Sequence, residues 1–337
     1  MSKKIDYKSS GVDINKADRL VSWIQSQGSS SKKTLGSNYA SLFPLAFKKY
    51  KEPILASSTD GVGTKVKLAR HFSSWNHLGQ DLVAMCVNDL ICVGAQPLFF
   101  LDYYACGALN LKQSKIFFKG LYKACQKASC ELIGGETAEL PGLYQKGDID
   151  CAGFAVGVVE KKNILGPHRV KAGDQVIALR SSGFHSNGYS LLRKIYKSSK
   201  DLKNNQKILM EPTRLYTFLK PYKNQIPHLK AMAHITGGGL ENISRIIPKN
   251  LHLKIRPWQV PLAFLDVKKR ARLSWPSLLK TLNCGLGMVL ILSDPGDFLK
   301  LNLIPKKEVL FLGTIEKTRS SHCWSLDFKS MSQKNNV

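Results

Sequence analysis

Residues Leu78–Val93 constrain the fold of this chain more than any other stretch. They are apolar on nearly every side of a helix, and a helix without a solvent face has to be enclosed by the rest of the molecule. Asp81, Asn88 and Asp89 nevertheless sit within it, beside Gln80. The first three fall seven or eight positions apart, inside about one-third of the circumference at 3.6 residues per turn. A carboxylate on a buried helix is costly unless it is paired or bound to a metal. A polar stripe turned towards Mg²⁺ and a nucleotide accounts for the three better than a chance pair of core aspartates.

The 337 residues are enough for two domains at roughly 100–200 residues each. In the first half, strands are expected over Pro53–Ser57, Leu98–Ala105, Cys130–Ile133 and Cys151–Glu160, and helices over Leu78–Val93 and Gln113–Ala128. Gly166-Pro167 breaks the pattern, and a turn at Val170–Asp174 opens a second unit. Its expected strands are Gln175–Leu179, Ala231–Ile235, Gly287–Leu292 and Val309–Ile315. One helix is expected over Asn187–Lys197 and another after the triple glycine at 237–239. Lys197–Gln206 reads as an exposed loop and Ser330–Val337 as a frayed tail. Strands and helices mix without strict βαβ regularity, which gives an α+β fold with domains at 1–167 and 168–337.

Glycine-bearing turns recur at the strand ends. Asp60-Gly61-Val62-Gly63-Thr64-Lys65 leaves the first strand with a carboxylate, a hydroxyl and a lysine. Glycines let backbone N–H groups approach an anion, Lys65 can neutralise phosphate oxygens, and Asp60 suits a hard cation such as Mg²⁺. The Walker A spacing is absent, and an ordinary Asp-Gly turn is the alternative. Gly134–Gly142 places Glu136, Thr137 and Glu139 beside a Gly-Gly turn; here the alternative is an acidic helix start favoured by the dipole. Ser181–Gly188 joins a strand to a helix, where Ser182, Ser186 and Asn187 make an anion site and His185 can move protons near neutral pH. Thr236-Gly237-Gly238-Gly239 suits a phosphate in the same way, whereas His234, within the apolar run Ala231–Ile235, reads as structural.

The eight cysteines show no C-x-x-C pairing and lie mostly among apolar neighbours, so neither zinc nor a disulfide framework is expected. Fifty Lys and Arg against 24 Asp and Glu give a net charge of +26. That excess raises nucleic-acid binding, but the lysines come as scattered pairs with no basic helix, so a solvated basic surface is the preferred reading. No apolar run reaches the roughly 18 residues of a membrane span. The polar N-terminus is no secretory signal, and a cytoplasmic protein is expected.

The motifs converge on a known group. Asp89-Leu-Ile-Cys-Val-Gly94-Ala95-Gln-Pro97 fits the D-x-x-x-x-G-A-x-P signature of the AIR synthetase superfamily. Asp60–Lys65, Val87–Leu90, Phe99–Tyr104, Gly134–Gly142, Gly183–Leu191, Glu211–Tyr216, Thr236–Asn242 and Asn283–Met288 are similar to strings of the AIR synthetase family itself. The resemblance runs from Tyr7-Lys8-Ser9 to about Ile315. It implies two domains per chain and a homodimer in which the N-terminal sheets pair, with ATP near the interface. It also implies ATP-dependent ring closure of formylglycinamidine ribonucleotide. Alternatives are a sister enzyme such as selenophosphate synthetase, whose reactive N-terminal Cys has no counterpart before Cys86, or an RNA-associated protein that has lost catalysis.

Residues and resemblance together assign ATP and Mg²⁺ to Asp60, Gly61, Gly63, Thr64, Lys65, Asp81, Asn88 and Asp89, with Asp60, Asp89 and Glu136 as metal ligands. The ribonucleotide is assigned to Glu136, Thr137, Ser182, His185, Ser186, Asn187 and Thr236–Gly239, with His185 and Lys65 as catalytic groups. Three segments depart from the family pattern: Gly36-Ser37-Asn38-Tyr39, Ser244-Arg245, and Ser277–Asn283. The last lacks a carboxylate and carries Lys280 in place of an arginine, losing a planar fork for bidentate contacts.

Overall fold

A computed structural model describes residues 10–28, 39–45, 47–223, 226–319 and 322–336. The features at Tyr7–Ser9 and Gly36–Asn38 lie outside these residues.

The first half runs α1 (Ile14–Gly28), β1 (Pro53–Gly61), α2 (Lys65–Phe72), α3 (Trp75–Cys92), β2 (Gln96–Cys106), α4 (Leu111–Ala128), β3 (Glu131–Glu139) and β4 (Ile149–Glu160). Its sheet has the order β1-β4-β2-β3. β2 and β3 are parallel, with α4 as the crossover that parallel strands require, and the other pairings are antiparallel. α3 and α4 pack against each other and cover one face. They approach closely because a Cβ at Gly79 would collide with the backbone of Leu121 and Phe117, and one at Gly120 with that of Asn76. The other face presents Leu55, Phe99, Leu101, Tyr103, Phe154 and Val156, all half-buried or exposed. Such a face would ordinarily be polar.

The second half comprises β5 (Gln175–Arg180), α5 (Tyr189–Ile195), α6 (Ser199–Met210), β6 (Leu229–His234), a 3₁₀ helix (Gly239–Ile246), β7 (Leu251–Ile255), α7 (Leu262–Arg270), α8 (Trp275–Thr281), β8 (Leu286–Leu292), α9 (Pro295–Lys300), β9 (Val309–Lys317), β10 (Trp324–Leu326) and α10 (Phe328–Asn335). Its sheet runs β10-β7-β9-β5-β8-β6. β8 is buried at every position, which explains its unbroken apolar sequence. The chain is thus an α+β molecule of two mixed sheets. Among the described residues no helix is long and apolar enough to cross a membrane.

Four local expectations need correction. Lys197–Gln206 is mostly helix, since the Ser198 side chain caps α6 by accepting from Asp201 N and the helix ends on buried Leu209 and Met210. Ser330–Asn336 is not frayed: α10 buries Met331, and Asn335 donates to the Trp258 carbonyl and accepts from Val260 N. The Gly134-Gly135 pair lies within β3, which runs on to Glu139, because pairing with β2 continues through it. The triple glycine leads into a 3₁₀ helix, not an α-helix.

Candidate active site at the domain seam

Most of the polar stripe on α3 holds the two halves together. Lys65, at the start of α2, is wholly buried. Its ammonium donates to Asp81 Oδ1 at 2.9 Å and to the carbonyls of His185 and Glu211, each at 2.9 Å. Asp81 Oδ2 lies 2.8 Å from the same nitrogen, and Oδ1 also accepts Thr213 N at 2.7 Å and Thr213 Oγ1 at 2.6 Å. Seven residues on, Asn88 Oδ1 accepts Tyr216 N at 2.9 Å, and its Nδ2 donates to the Arg214 carbonyl at 2.9 Å. Gln80 and His77 bond the carbonyls of Thr213 and Met210. α3 therefore binds the segment 210–216 along its length.

Three of the residues assigned to the nucleotide thus have protein partners. Lys65 has three N–H donors and three protein acceptors, so none is left for a phosphate. Burial pushes its pKa down, and Asp81 and Glu211 pull it back up. Asp81 and Asn88 are likewise committed to the C-terminal half rather than to a nucleotide.

Asp89 and Asp60 behave differently. The Asp89 side chain is 45% exposed and meets His234 Nδ1 at 3.1 Å. Asp60, next to last in β1, is half-buried, with Oδ1 accepting Gly61 N at 2.7 Å. Its pKa is raised, first by burial and further by the charge of Asp89. Like charges held together favour a cation between them. No group of three or more His, Cys, Asp or Glu among the described residues makes a metal site by itself. Two carboxylates completed by phosphate oxygens is the usual arrangement for Mg²⁺, and the donor set fits it. Gly63, with φ of +52° and open space around it, and half-buried Thr64 follow directly.

Glu136 does not join this pair. Asp60, Gly153, Asp102 and Gly135 form one row across the sheet. Glu136 therefore projects to the opposite face, three strands away, or about 14 Å at the usual strand spacing. Thr137 follows it on the same far strand, so both stand apart from the Asp60–Asp89 pair. In the row itself, Asp102 is buried and its pKa is pushed up to about 8 by that burial, with Glu136 adding to the rise.

The loop 181–188 and the glycine turn do come together. A Cβ on Gly237 would lie 3.4 Å from Asn187 Oδ1. Asn242 closes the turn by donating to the carbonyls of Gly237 and Gly239, where Gly238 and Gly239 take φ of +88° and +57°. Ser182 Oγ donates to the Pro212 carbonyl, and Ser186 Oγ lies 2.9 Å from Thr213 Oγ1. His185 adopts φ of +59°, a left-handed conformation uncommon outside glycine. Its Nε2 accepts from Ser182 N, while Nδ1 is buried without a partner among the described residues, as is Asn187 Nδ2. Two orphaned polar atoms in one loop mark where a ligand would complete the hydrogen bonding. Burial holds the His185 pKa well below 6.5, with nearby His234, Lys65 and Arg214 acting in the same direction.

Sequence reading missed Thr213 and the contacts that His234 makes with Asn88 and Asp89. The only local signal for either was position: Thr213 lies in the string Glu211–Tyr216, and His234 is the one polar residue at the end of β6, two positions before Thr236.

Residues 46–159 match the AIR synthase related protein N-terminal domain, and residues 171–317 its C-terminal domain. The chain is 44% identical over 310 residues to the phosphoribosylformylglycinamidine cyclo-ligase of Neisseria meningitidis serogroup C, covering 87% of this chain and 89% of that one. It is 45% identical over 312 residues to the human trifunctional purine biosynthetic protein adenosine-3, covering 86% of this chain and 31% of that protein. Among solved structures, E. coli HypE, a hydrogenase maturation protein, superposes with a TM-score of 0.68 at 17% identity, covering 92% of this chain and 93% of that one. Thiamine-monophosphate kinase from Stenotrophomonas maltophilia gives 0.65 at 16%, covering 91% and 95%. At such identities these two speak for the fold alone.

Proposed function

The chain belongs to the AIR synthase related protein family, and on that premise we propose how its residues share out the reaction. It is an ATP-using enzyme of purine biosynthesis that closes formylglycinamidine ribonucleotide to aminoimidazole ribonucleotide, releasing ADP and phosphate, as its relatives at 44–45% identity do. ATP phosphorylates the formyl oxygen, the amidine-side nitrogen attacks that carbon, and phosphate leaves. Chemistry of this kind depends on positioning and on neutralising phosphoryl charge.

Asp60 and Asp89 would hold Mg²⁺ on the ATP phosphates, with backbone donors from Gly61, Gly63 and Thr64 around them. Bound there, the ion would offset the charge of the phosphoryl oxygens. The Thr236–Gly239 turn takes the ribose 5′-phosphate, and Ser182, Ser186 and Asn187 orient the remainder. His185 is unprotonated at neutral pH, and its lone pair lies on Nε2, held only by the 3.4 Å bond from Ser182 N; we assign that nitrogen to take the proton from the attacking nitrogen, with Nδ1–H left to donate to the ligand. The division near residue 167 puts nucleotide chemistry on the first sheet and ribonucleotide binding on the second.

The apolar face of the first sheet supports a homodimer, because Leu55 is 55% exposed and Phe154 43% exposed in a single chain. Glu136 opens on that face, so a partner covering it would enclose Glu136, whereas Thr137, next along β3, points to the other side of the sheet.

The observation that carries these assignments is the convergence of the 181–188 loop, with its two orphaned polar atoms, on the glycine turn beside a seam that ends in a carboxylate pair. A coupled assay of ADP release tests the whole reading. ADP should form only when formylglycinamidine ribonucleotide is present, and ribonucleotide-independent or absent release would defeat it.

A further inference from the structure

His234 sits where the two domains' functional elements meet. It is the last residue of β6, two positions before the Thr236–Gly239 turn, and its side chain is 1% exposed. One ring nitrogen, Nδ1, lies 3.1 Å from Asp89 Oδ1, and the other, Nε2, lies 3.3 Å from Asn88 Nδ2.

The surrounding bonds fix the tautomer. Asn88 Oδ1 accepts from Tyr216 N, so the amide cannot be turned over without opposing two donors. Its Nδ2 therefore faces both the Arg214 carbonyl and His234, and donates to each. Nε2 is then an acceptor, Nδ1 carries the proton, and that proton points at Asp89. The bond spans the domain seam, since Asp89 belongs to α3 and His234 to the second sheet.

We propose that His234 is a positioning residue that orients the Asp89 carboxylate for Mg·ATP from the opposite domain, tying the nucleotide carboxylate to the strand that carries the phosphate turn. An outer hydrogen bond of this kind fixes the rotamer of a metal-binding carboxylate and leaves its second oxygen free. Asp89 needs such support because its side chain is half-exposed and no other described contact restrains it. The proposal rests on the assignment of Asp89 to the nucleotide.

The test compares Mg·ATP dissociation constants by calorimetry for the wild-type enzyme, Asp89→Asn, His234→Asn, His234→Gln and His234→Ala. Asparagine places an N–H near the Nδ1 position, whereas glutamine places its amide near Nε2. His234→Ala and His234→Gln should weaken Mg·ATP about 10–100-fold, with the KM for the ribonucleotide little changed, and His234→Asn should restore most of the affinity. If Asp89→Asn binds Mg·ATP like wild type, the nucleotide assignment itself is wrong. If Asp89→Asn loses affinity while all three His234 variants keep it, or all three lose it equally, the positioning role is overturned. Should the alanine variant fail to fold, the contrast between asparagine and glutamine still decides.

Discussion

Lys65 and Asp81 meet at 2.8 Å with both side chains wholly out of solvent, one from the start of α2 and the other from α3. Removing one partner from a buried pair leaves an uncompensated charge and costs about 3–5 kcal/mol. Lys65→Met should accordingly lose stability of that order in urea unfolding. A phosphate-binding lysine would behave oppositely, losing turnover with an unchanged unfolding midpoint, and that outcome would reject the seam role.

Asp60→Asn and Asp89→Asn should each abolish ADP formation and leave the melting temperature close to wild type, because both carboxylates lie at the open end of the seam. Normal turnover by either variant at saturating Mg²⁺ would remove it from the metal site.

His185→Ala should lower kcat by about 10²–10⁴-fold, the usual contribution of a general base, with ATP affinity little changed. Because burial depresses the folded pKa, the imidazole stays unprotonated through neutrality and should add no acid limb to kcat near its ordinary value of 6.5. Its effect on stability has a definite sign. The unfolded chain binds this proton below about pH 6.5 and the folded chain does not, so stability is lost as pH falls through that range. An alanine variant with wild-type kcat across pH would take His185 out of the mechanism.

Asp102 gives the reverse dependence. Its folded pKa of about 8 exceeds the ordinary 3.8, so the folded chain holds the proton more tightly. The resulting stability is fully present below the unfolded value and is lost as pH rises towards about 8. Asp102→Asn should therefore melt progressively higher than wild type on going from about pH 5 to about pH 8.5. A constant gap in melting temperature would mean that Asp102 ionises normally.

Phe154→Glu places a charge on the uncovered apolar face. Light scattering should report a dimer for the wild type and the 37.5 kDa of a single chain for the variant. A wild-type monomer at micromolar concentration would count against the sheet pairing.

Sequence periodicity revealed α3, α4 and most strands, because each has a strong apolar pattern of its own. It failed where tertiary partners decide. Gly134-Gly135 looks like a turn on propensity and becomes strand through pairing with β2. α6 is rich in Lys and Asn, and only the Ser198–Asp201 cap announces it. At the site, the glycine turn and the Ser182–Asn187 loop were legible because their chemistry is local. The partners of Lys65, Asp81 and Asn88 were not legible for the opposite reason. The charge and burial of these three could be read, but apart from the Lys65–Asp81 pair itself, 16 residues apart, their partners lie more than a hundred residues away in the chain, and a buried carboxylate looks the same whether a metal or a lysine satisfies it.

That separation also has a bearing on how the protein is made. Asp81 leaves the ribosome 132 residues ahead of Thr213, whose backbone N–H and hydroxyl it needs. At synthesis rates of roughly 5–20 residues per second, the nascent first sheet waits on the order of ten seconds with one side of α3 bare. During that interval the helix presents apolar surface and unmatched polar groups to solvent, an opportunity for a chaperone or for a neighbouring nascent chain. Slowing translation between codons 90 and 210 should therefore lower the soluble yield more than slowing it after codon 220.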